Sequence, residues 1–380
     1  MQEAYVQALR TWAGGGVPDR PGAWLTTVAR RTALNLLRRR RTLEAKLPLL
    51  VESTNGVGHG PSVDGGIHGA GAIPDDRLRL IFTCCHPALA PEAQVALTLR
   101  LVCGVATPDI ARAFLVADAT MAARLTRAKK KIAAARIPYA VPSAAELPAR
   151  LDAVLTVVHL LYSTGHTAPS GDDLVRADLC DRALDLSRLL RRLLPAEREV
   201  AALYALLLVH EARRATRTNT AGRLQRLEDQ DRSAWDRDLI TEADRLVVDT
   251  LRAGPPGRFT LQAAIAALHA QAPSYAATDW PQIVTLYDEL LRVWPSPVVA
   301  LNRAVAVAMV EGPEAALAEV EALAGDGRLA GYHYLPATRA DLLHRLGRDA
   351  EAVDAYRAAL ALCDNATERA FLTEQLQGIQ

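Results

Sequence analysis

Apolar positions recur at helical spacing along most of this 380-residue chain. Ala4, Val6, Ala8, Leu9 and Trp12 share one side of a predicted helix over 2–12, which Gly14-Gly15-Gly16 ends. After Pro18 and Pro21 a long helix is predicted over 23–43, with Leu25, Val28, Leu36 and Leu43 on one face. Residues 77–82 begin a further helix. Pro87 and Pro91 frame a turn, and the spacing predicts the next helix over 92–103, ended by Gly104. Thr107 before Pro108 predicts an N-cap followed by a first-turn proline. Asp118 or Thr120 is expected to cap the helix after that. In it Met121, Leu125, Ala128 and Ile132 fall at i, i+4, i+7 and i+11, a single apolar stripe. The chain from Pro142 onward is predicted to be helical to its end. The strongly apolar 151–161 precedes an expected loop over 164–171, and long helices are predicted over 174–194, 197–214, 233–252 and 260–271.

Two stretches break this rhythm. Residues 52–74, ESTNGVGHGPSVDGGIHGAGAIP, are rich in glycine and poor in apolar side chains, which predicts a flexible linker. Near the end, DLLHRLGRDAEAVDAYRAALAL carries Leu346-Gly347, Ala352, Tyr356, Ala359 and Leu360 at the positions of the second half of a tetratricopeptide-type repeat. A looser copy runs from Trp280 and Tyr287 through Ala300 and Ala304 to Ala316. An ordinary helical bundle is the alternative. The expected fold class is all-α: two small helical domains, 1–50 and 75–141, joined by a linker over 51–74, then a larger repeat-like domain over 142–380. Half the residues are apolar and only 5% aromatic, a mix that favours helix over sheet.

Charge changes the picture more than composition does. The net charge of +1 conceals an asymmetry. Residues 1–142 hold 19 Lys and Arg against 10 Asp and Glu, a balance of +9; the remainder holds 25 against 33, a balance of −8. A basic front half points to a polyanionic partner for that half alone. Arg30, Arg31, Arg38, Arg39, Arg40 and Arg41 lie on the other faces of helix 23–43, where they can be solvated or can follow a phosphate backbone. Opposite the apolar stripe of the helix after Asp118 stand Ala123, Thr126, Arg127 and Lys130, flanked by Arg124, Lys129 and Lys131. A helix with an apolar back and a basic, small-residue front, preceded by a short helix and a tight break, is what the major groove admits.

Other chemistry finds little support. The five cysteines include no CxxC pair, so a disulfide framework is not expected and a reducing compartment fits. Adjacent Cys84 and Cys85 beside His86 offer poor geometry for one tetrahedral ion, and no metal or cofactor is expected. No P-loop, GxSxG or HExxH motif occurs, so no enzymatic activity is expected. No run of about 18 apolar residues occurs and the start has no apolar signal core, which argues against membrane spanning and export. A cytoplasmic protein is expected.

PGAWLTTVARRTALNLLRRRR, and after the linker ALTLRLVCGVATPDIARAFLVADATMAARLTRAKKKI, resemble regions 2 and 4 of bacterial RNA polymerase sigma factors. The type resembled is the extracytoplasmic-function group of the sigma-70 family, in its subgroup with a tetratricopeptide-like C-terminal extension. IFTCCHPALAPEAQVALTLRLV fits that subgroup too. The resemblance implies that the partner is core RNA polymerase, through the clamp of the β′ subunit, on which residues 2–12 dock, and the flap of the β subunit. It implies −10 reading and melting by Trp24, Thr27, Arg30, Arg31, Asn35, Arg38 and Arg39, with bases stacking on the ring and arginines holding phosphates. It implies −35 reading in the major groove by Thr120, Arg124 and Arg127, with Lys129, Lys130 and Lys131 on phosphates.

The pattern also departs from the family. The chain begins inside region 2, which implies that the family's first helix or two are missing. Arg31 stands where many relatives have asparagine, and Ala122-Ala123 replace a polar pair. Leu115 holds a turn position that is often glycine; left-handed backbone there would cost about 1 kcal/mol. For the acidic tail two roles are open. It is a platform for a regulatory protein, or it packs on the DNA-binding units by charge attraction and holds their spacing. The competing overall reading is a helix-turn-helix regulator with a tetratricopeptide-like sensor domain, which would have no need of a second basic helix led by Trp24.

Overall fold

A computed structural model of the chain describes residues 76–135 and 146–379, and before them the single residue Pro21. The expected first domain and the glycine-rich linker lie outside the described residues. The chain divides into two units, Met1–His68 with Lys129–Tyr139, and Gly69–Ala128 with Ala140–Gln380. Of the first, only 129–135 is described beyond Pro21, the basic end of a helix. The second holds the other described elements.

Among the described residues four helices come first: α1 Asp76–Cys84, α2 Pro91–Leu101, α3 Thr107–Ala113 and α4 Asp118–Ala135. The second, α2, buries every residue from Gln94 to Leu99, because α1 and a later helix cover it from different sides. Its polar members are satisfied in place. The Thr98 hydroxyl donates to the Gln94 carbonyl at 2.7 Å, and Gln94 Nε2 donates to the Leu89 carbonyl at 2.9 Å. The helix stops two residues short of the predicted end.

The tail opens with α5 Leu147–His166, whose Val154, Val157, Val158 and Leu161 are fully enclosed. This helix runs on into the expected loop. Gly165 permits that: a Cβ there would lie 2.8 Å from Leu179 Cβ and 2.9 Å from the Arg176 carbonyl, so only glycine lets the next helix pass. After a two-residue strand, β1 Ser170–Gly171, come α6 Ala177–Leu193, α7 Arg198–Ala212, α8 Arg237–Arg252 and α9 Arg258–Gln271. Central α7 is packed by α5, α6, α8 and α9, which explains its near-continuous apolar run from Val200 to Val209. The helix predicted to start at residue 233 begins at Arg237, because Asp236 accepts from the amides of Asp238 and Leu239 and caps it there.

Six helices follow: α10 Trp280–Val293, α11 Pro297–Val310, α12 Pro313–Asp326, α13 Tyr334–Arg345, α14 Asp349–Leu362 and α15 Ala366–Ile379. Each packs on the next. The small residues read as helix contacts are contacts: Ala304, Ala316, Ala352 and Ala359 are all completely buried, and Tyr356 is 4% exposed. The fold is all-α, with a repeat-like C-terminal region and, among the described residues, two strands of two residues each. The second, β2 Asp364–Asn365, pairs in parallel with β1. Buried Asn365 donates to the Asp173 carbonyl at 3.0 Å, and Thr367 to that of Asp172 at 2.9 Å. The last helical pair thus returns to the loop that follows α5.

Tail and helix-turn-helix region are one packed body within this unit. Arg150, 6% exposed on α5, donates to the Phe82 carbonyl at 3.0 Å, and Arg182 donates to the Cys103 carbonyl at 2.9 Å. Both acceptors lie at the C-terminal ends of α1 and α2, where carbonyls have no intrahelical donor. Asp109 in the first turn of α3 pairs with Arg176 at 3.4 Å. Asp364 pairs with Arg112 of α3. Docking therefore occurs, but mostly by tail arginines on carbonyls and Asp109. Only Arg112–Asp364 has the sense expected from a basic front and acidic back.

Replacing Arg150 by Met should lower stability by about 2 kcal/mol, since the Phe82 carbonyl stays buried without its donor. Urea unfolding reads the loss, and hydrogen exchange should quicken in α1 and α2 while α12–α14 stay protected; unchanged exchange in α1 would refute the capping role. A second outcome concerns acid. His159 lies edge-on to Phe259 with centroids 5.6 Å apart, and burial, aided by Arg258, pushes its pKa down to about 4. The folded state thus holds a neutral ring, so its contribution is complete above the unfolded value near 6.5 and is lost as pH falls from there toward 4. Stability should fall over that window with a slope up to about 1.4 kcal/mol per pH unit for each such histidine. His159→Gln should flatten the slope in urea titrations at successive pH values.

Candidate nucleic-acid interface

The helix-turn-helix is built on a break that the sequence marked as unusual. Ala106, not Thr107, takes the cap position of α3; Thr107 and Pro108 form its first turn. At the other end Leu115 has φ of +52°, the only positive φ at a non-glycine among the described residues. The Leu115 amide donates to the Arg112 carbonyl and the Val116 amide to that of Ala111, both at 3.0 Å. Those two bonds form a Schellman closure with leucine in the place that glycine usually takes. Its side chain is half-buried and packs on the apolar cluster of the last helices, which includes Leu301, Leu342 and Leu372. The contact offsets the strain.

Helix α4 begins at Asp118, one residue after Ala117, whose carbonyl accepts from Met121 at 3.1 Å. Neither Asp118 nor Thr120 caps it; Asp118 is its first residue and complements the positive end of the helix. The stripe of Met121, Leu125 and Ala128 is buried as expected. Thr120, Ala122, Ala123, Thr126, Arg127, Lys129, Lys130 and Lys131 are exposed. Arg124 differs: it is half-buried, with its guanidinium carbon 5.7 Å from the centre of the Phe114 ring. Cation–π attraction holds this side chain toward the turn. Among the described residues no acidic side chain pairs with Arg127. The face is thus a short, basic, small-residue surface with its back fixed in a core. The −10 candidates Trp24, Thr27, Arg30, Arg31, Asn35, Arg38 and Arg39 lie outside the described residues.

Cys84 and Cys85 are buried and His86 is half-buried. Burial pushes the Cys84 thiol up to about 12 and Cys85 higher still, and Cys85 Sγ lies 3.7 Å from Thr98 Oγ1. Burial of this kind favours the protonated thiol. A donor set does occur in the tail, where His333, Cys363 and Glu368 place one ligand atom each within 4.8 Å of one another. Glu368 also accepts from the Tyr334 hydroxyl, and His333 Nε2 lies 3.5 Å from its carboxylate. The three are spread over 35 positions with no motif spacing, so the sequence carried no signal for them.

Comparison with known proteins accords with this geometry. Residues 79–132 match the model of the family "Sigma-70, region 4". Residues 150–251 match a family of unknown function, DUF6596. An uncharacterized protein of Rhizobium meliloti is 47% identical over 378 residues, covering 99% of this chain and 88% of that protein. Among the described residues no helix is long and apolar enough to cross a membrane.

The turn supplies a sharp test. Leu115→Gly removes strain of about 1 kcal/mol and forfeits apolar contact of similar size, so stability should change little. Leu115→Asp forfeits the contact without relieving the turn and should destabilise by about 2 kcal/mol. Urea midpoints compare the two, and equal losses would show that backbone strain plays no part.

Proposed function

The chain belongs to one family with the Rhizobium meliloti relative, its residues 79–132 are a sigma-70 region 4 domain, and on that premise we propose that it is an extracytoplasmic-function type sigma factor. It recruits core RNA polymerase to alternative promoters in the cytoplasm and has no catalytic site of its own. Region 4 takes the −35 element in the major groove through α4. The exposed row Thr120, Ala123, Arg127 and Lys130 is the observation that carries this reading. Arg127 is the main candidate for a bidentate guanine contact, and Lys129, Lys130 and Lys131 for phosphates. Arg124, held on Phe114, has to leave that ring to reach a base. Region 2, with Trp24 and Arg30–Arg39, takes the −10 element, and the clamp of β′ and flap of β are the polymerase contacts. The tail is a tetratricopeptide-like extension that regulates region 4 by direct contact and offers a surface to a regulatory protein. Support for its direct action comes from Arg150, Arg182 and Asp364, which reach α1–α3.

Run-off transcription on genomic fragments with core polymerase is the test. New 5′ ends should appear only when the protein is added. Arg127→Ala should cut their yield about tenfold or more and relax selection at one −35 position, the loss expected for one bidentate base contact. DNA binding without new transcripts would transfer the chain to the class of helix-turn-helix repressors. A chain ending after Pro142 should lose activity, and undiminished transcription from it would remove the tail from the mechanism.

A further inference from the structure

The tail contains buried nitrogen atoms that its own fold does not satisfy, and they lie together. Arg213, just after α7, and Arg232, in a 3-10 turn before α8, both approach Trp235, with guanidinium carbons 5.6 and 4.6 Å from the ring centre. Arg217 reaches the end of α5, donating to the His166 carbonyl and, at 2.9 Å, to Thr167 Oγ1. The His166 and His210 rings are 5.1 Å apart, and His210 Nδ1 is 3.5 Å from Arg213 Nη2. Arg232 Nη1 is used by the carbonyls of His269 and Ala272, at 2.6 and 2.8 Å.

Among the described residues no carboxylate forms an ion pair with Arg213, Arg217 or Arg232. Glu368 acts on Arg217 only at longer range and is engaged by Tyr334 and His333. Arg213 Nε, Arg232 Nη2, His166 Nδ1 and His269 Nδ1 are closed off from solvent without any partner. The three arginine side chains are half-buried as wholes. Leaving such a group buried and unpaired is costly, more so when it is charged. Stacking on Trp235 accounts for where Arg213 lies but gives its Nε no acceptor. An apolar occupant would leave these atoms unpaired, and a cation would be repelled. Planar guanidinium groups match the oxygens of carboxylate and phosphate.

We propose that the cluster of Arg213, Arg217 and Arg232 binds a small molecule through a carboxylate or phosphate group, and that this is the input site of the tail. The binding half stands apart from the sigma-factor reading; the input half rests on it. A physical route exists. Arg217 holds the end of α5, which leads into β1; β1 pairs with β2, and Asp364 of β2 pairs with Arg112 of α3. An anion that draws on Arg217 loads the strand pair that carries the helix-turn-helix.

Full-length protein is titrated calorimetrically with inorganic phosphate and, separately, with malonate, against potassium chloride of equal ionic strength. At least one should bind saturably at one site, and comparison of the two arms identifies the favoured head group. Arg213→Gln and Arg232→Gln should each weaken binding about tenfold or more, as loss of a charge-assisted hydrogen bond implies. Arg245→Gln, on the exposed side of α8, should bind as the unaltered protein does. If Arg213→Gln fails to fold by circular dichroism, Arg217→Lys and Arg232→Gln carry the comparison. Responses that track ionic strength alone, or arginine variants that bind normally, overturn the site. A saturated site with unchanged run-off yield overturns its role as input and leaves the sigma-factor reading standing.

Discussion

Short helices cannot complete themselves, and the architecture follows from that. Helices α1, α2 and α3 are 9, 11 and 7 residues long, below the length at which an isolated helix is stable in water. Their terminal carbonyls and apolar faces need partners from elsewhere. The tail supplies both: Arg150 caps α1, Arg182 takes the carbonyl beyond α2, and α5 covers α2. A buried guanidinium is costly to place unless its donors are used, so Arg150 also fixes the register of α5 against α1. The region 4 domain is consequently held from behind. Helix α4 buries Met121 and Leu125 on its back, and the turn before it rests on the last helices through Leu115.

That arrangement makes the strained turn intelligible. With glycine at 115 the turn would be relaxed but would lose its apolar contact with the tail. Leucine accepts left-handed backbone and gains apolar contact, so turn geometry and tail packing become one variable. Displacement of the tail's end would leave Leu115 strained and exposed together. Arg112, one turn earlier, is tied to Asp364 in the same region. Two independent contacts, one apolar and one ionic, thus connect the break before the reading helix to the last loop of the chain.

Helix periodicity made most of the fold legible. The stripe of Met121, Leu125 and Ala128, the apolar α5 and α7, and the small residues of α11 to α14 all stand where their spacing placed them. Boundaries were less legible, because caps depend on single residues. Asp236 moved a helix start by four positions, and Ala106 displaced Thr107 without any side-chain bond to announce it. Long-range partners left no local pattern. Nothing near Arg150 or Arg182 indicates a carbonyl roughly seventy positions away, and nothing in Arg213, Arg217 and Arg232 indicates that they converge with two histidines. Arg124 was legible as a basic residue of α4 but not as a partner of Phe114, since the turn that brings them together is tertiary.

The charge asymmetry reads differently in three dimensions. A front of +9 and a back of −8 imply mutual neutralisation, yet the contacts between tail and helix-turn-helix mostly run the other way, from tail arginines to Asp109 and to carbonyls. Direct hydrogen bonds, not net attraction, set the docking, because they act at 3 Å while the field of distributed charges is screened over about 8–10 Å. The consequence for function is favourable. Docking through arginine donors leaves Arg127 unengaged by tail carboxylates, so affinity for a phosphate backbone is not spent internally. An acidic tail elsewhere on the chain then opposes nonspecific capture by nucleic acid without covering the reading helix. On the proposed sigma-factor reading, selectivity would fall to the few exposed side chains on α4, and the alanines at 122 and 123 would make Arg127 and Thr120 carry more of it.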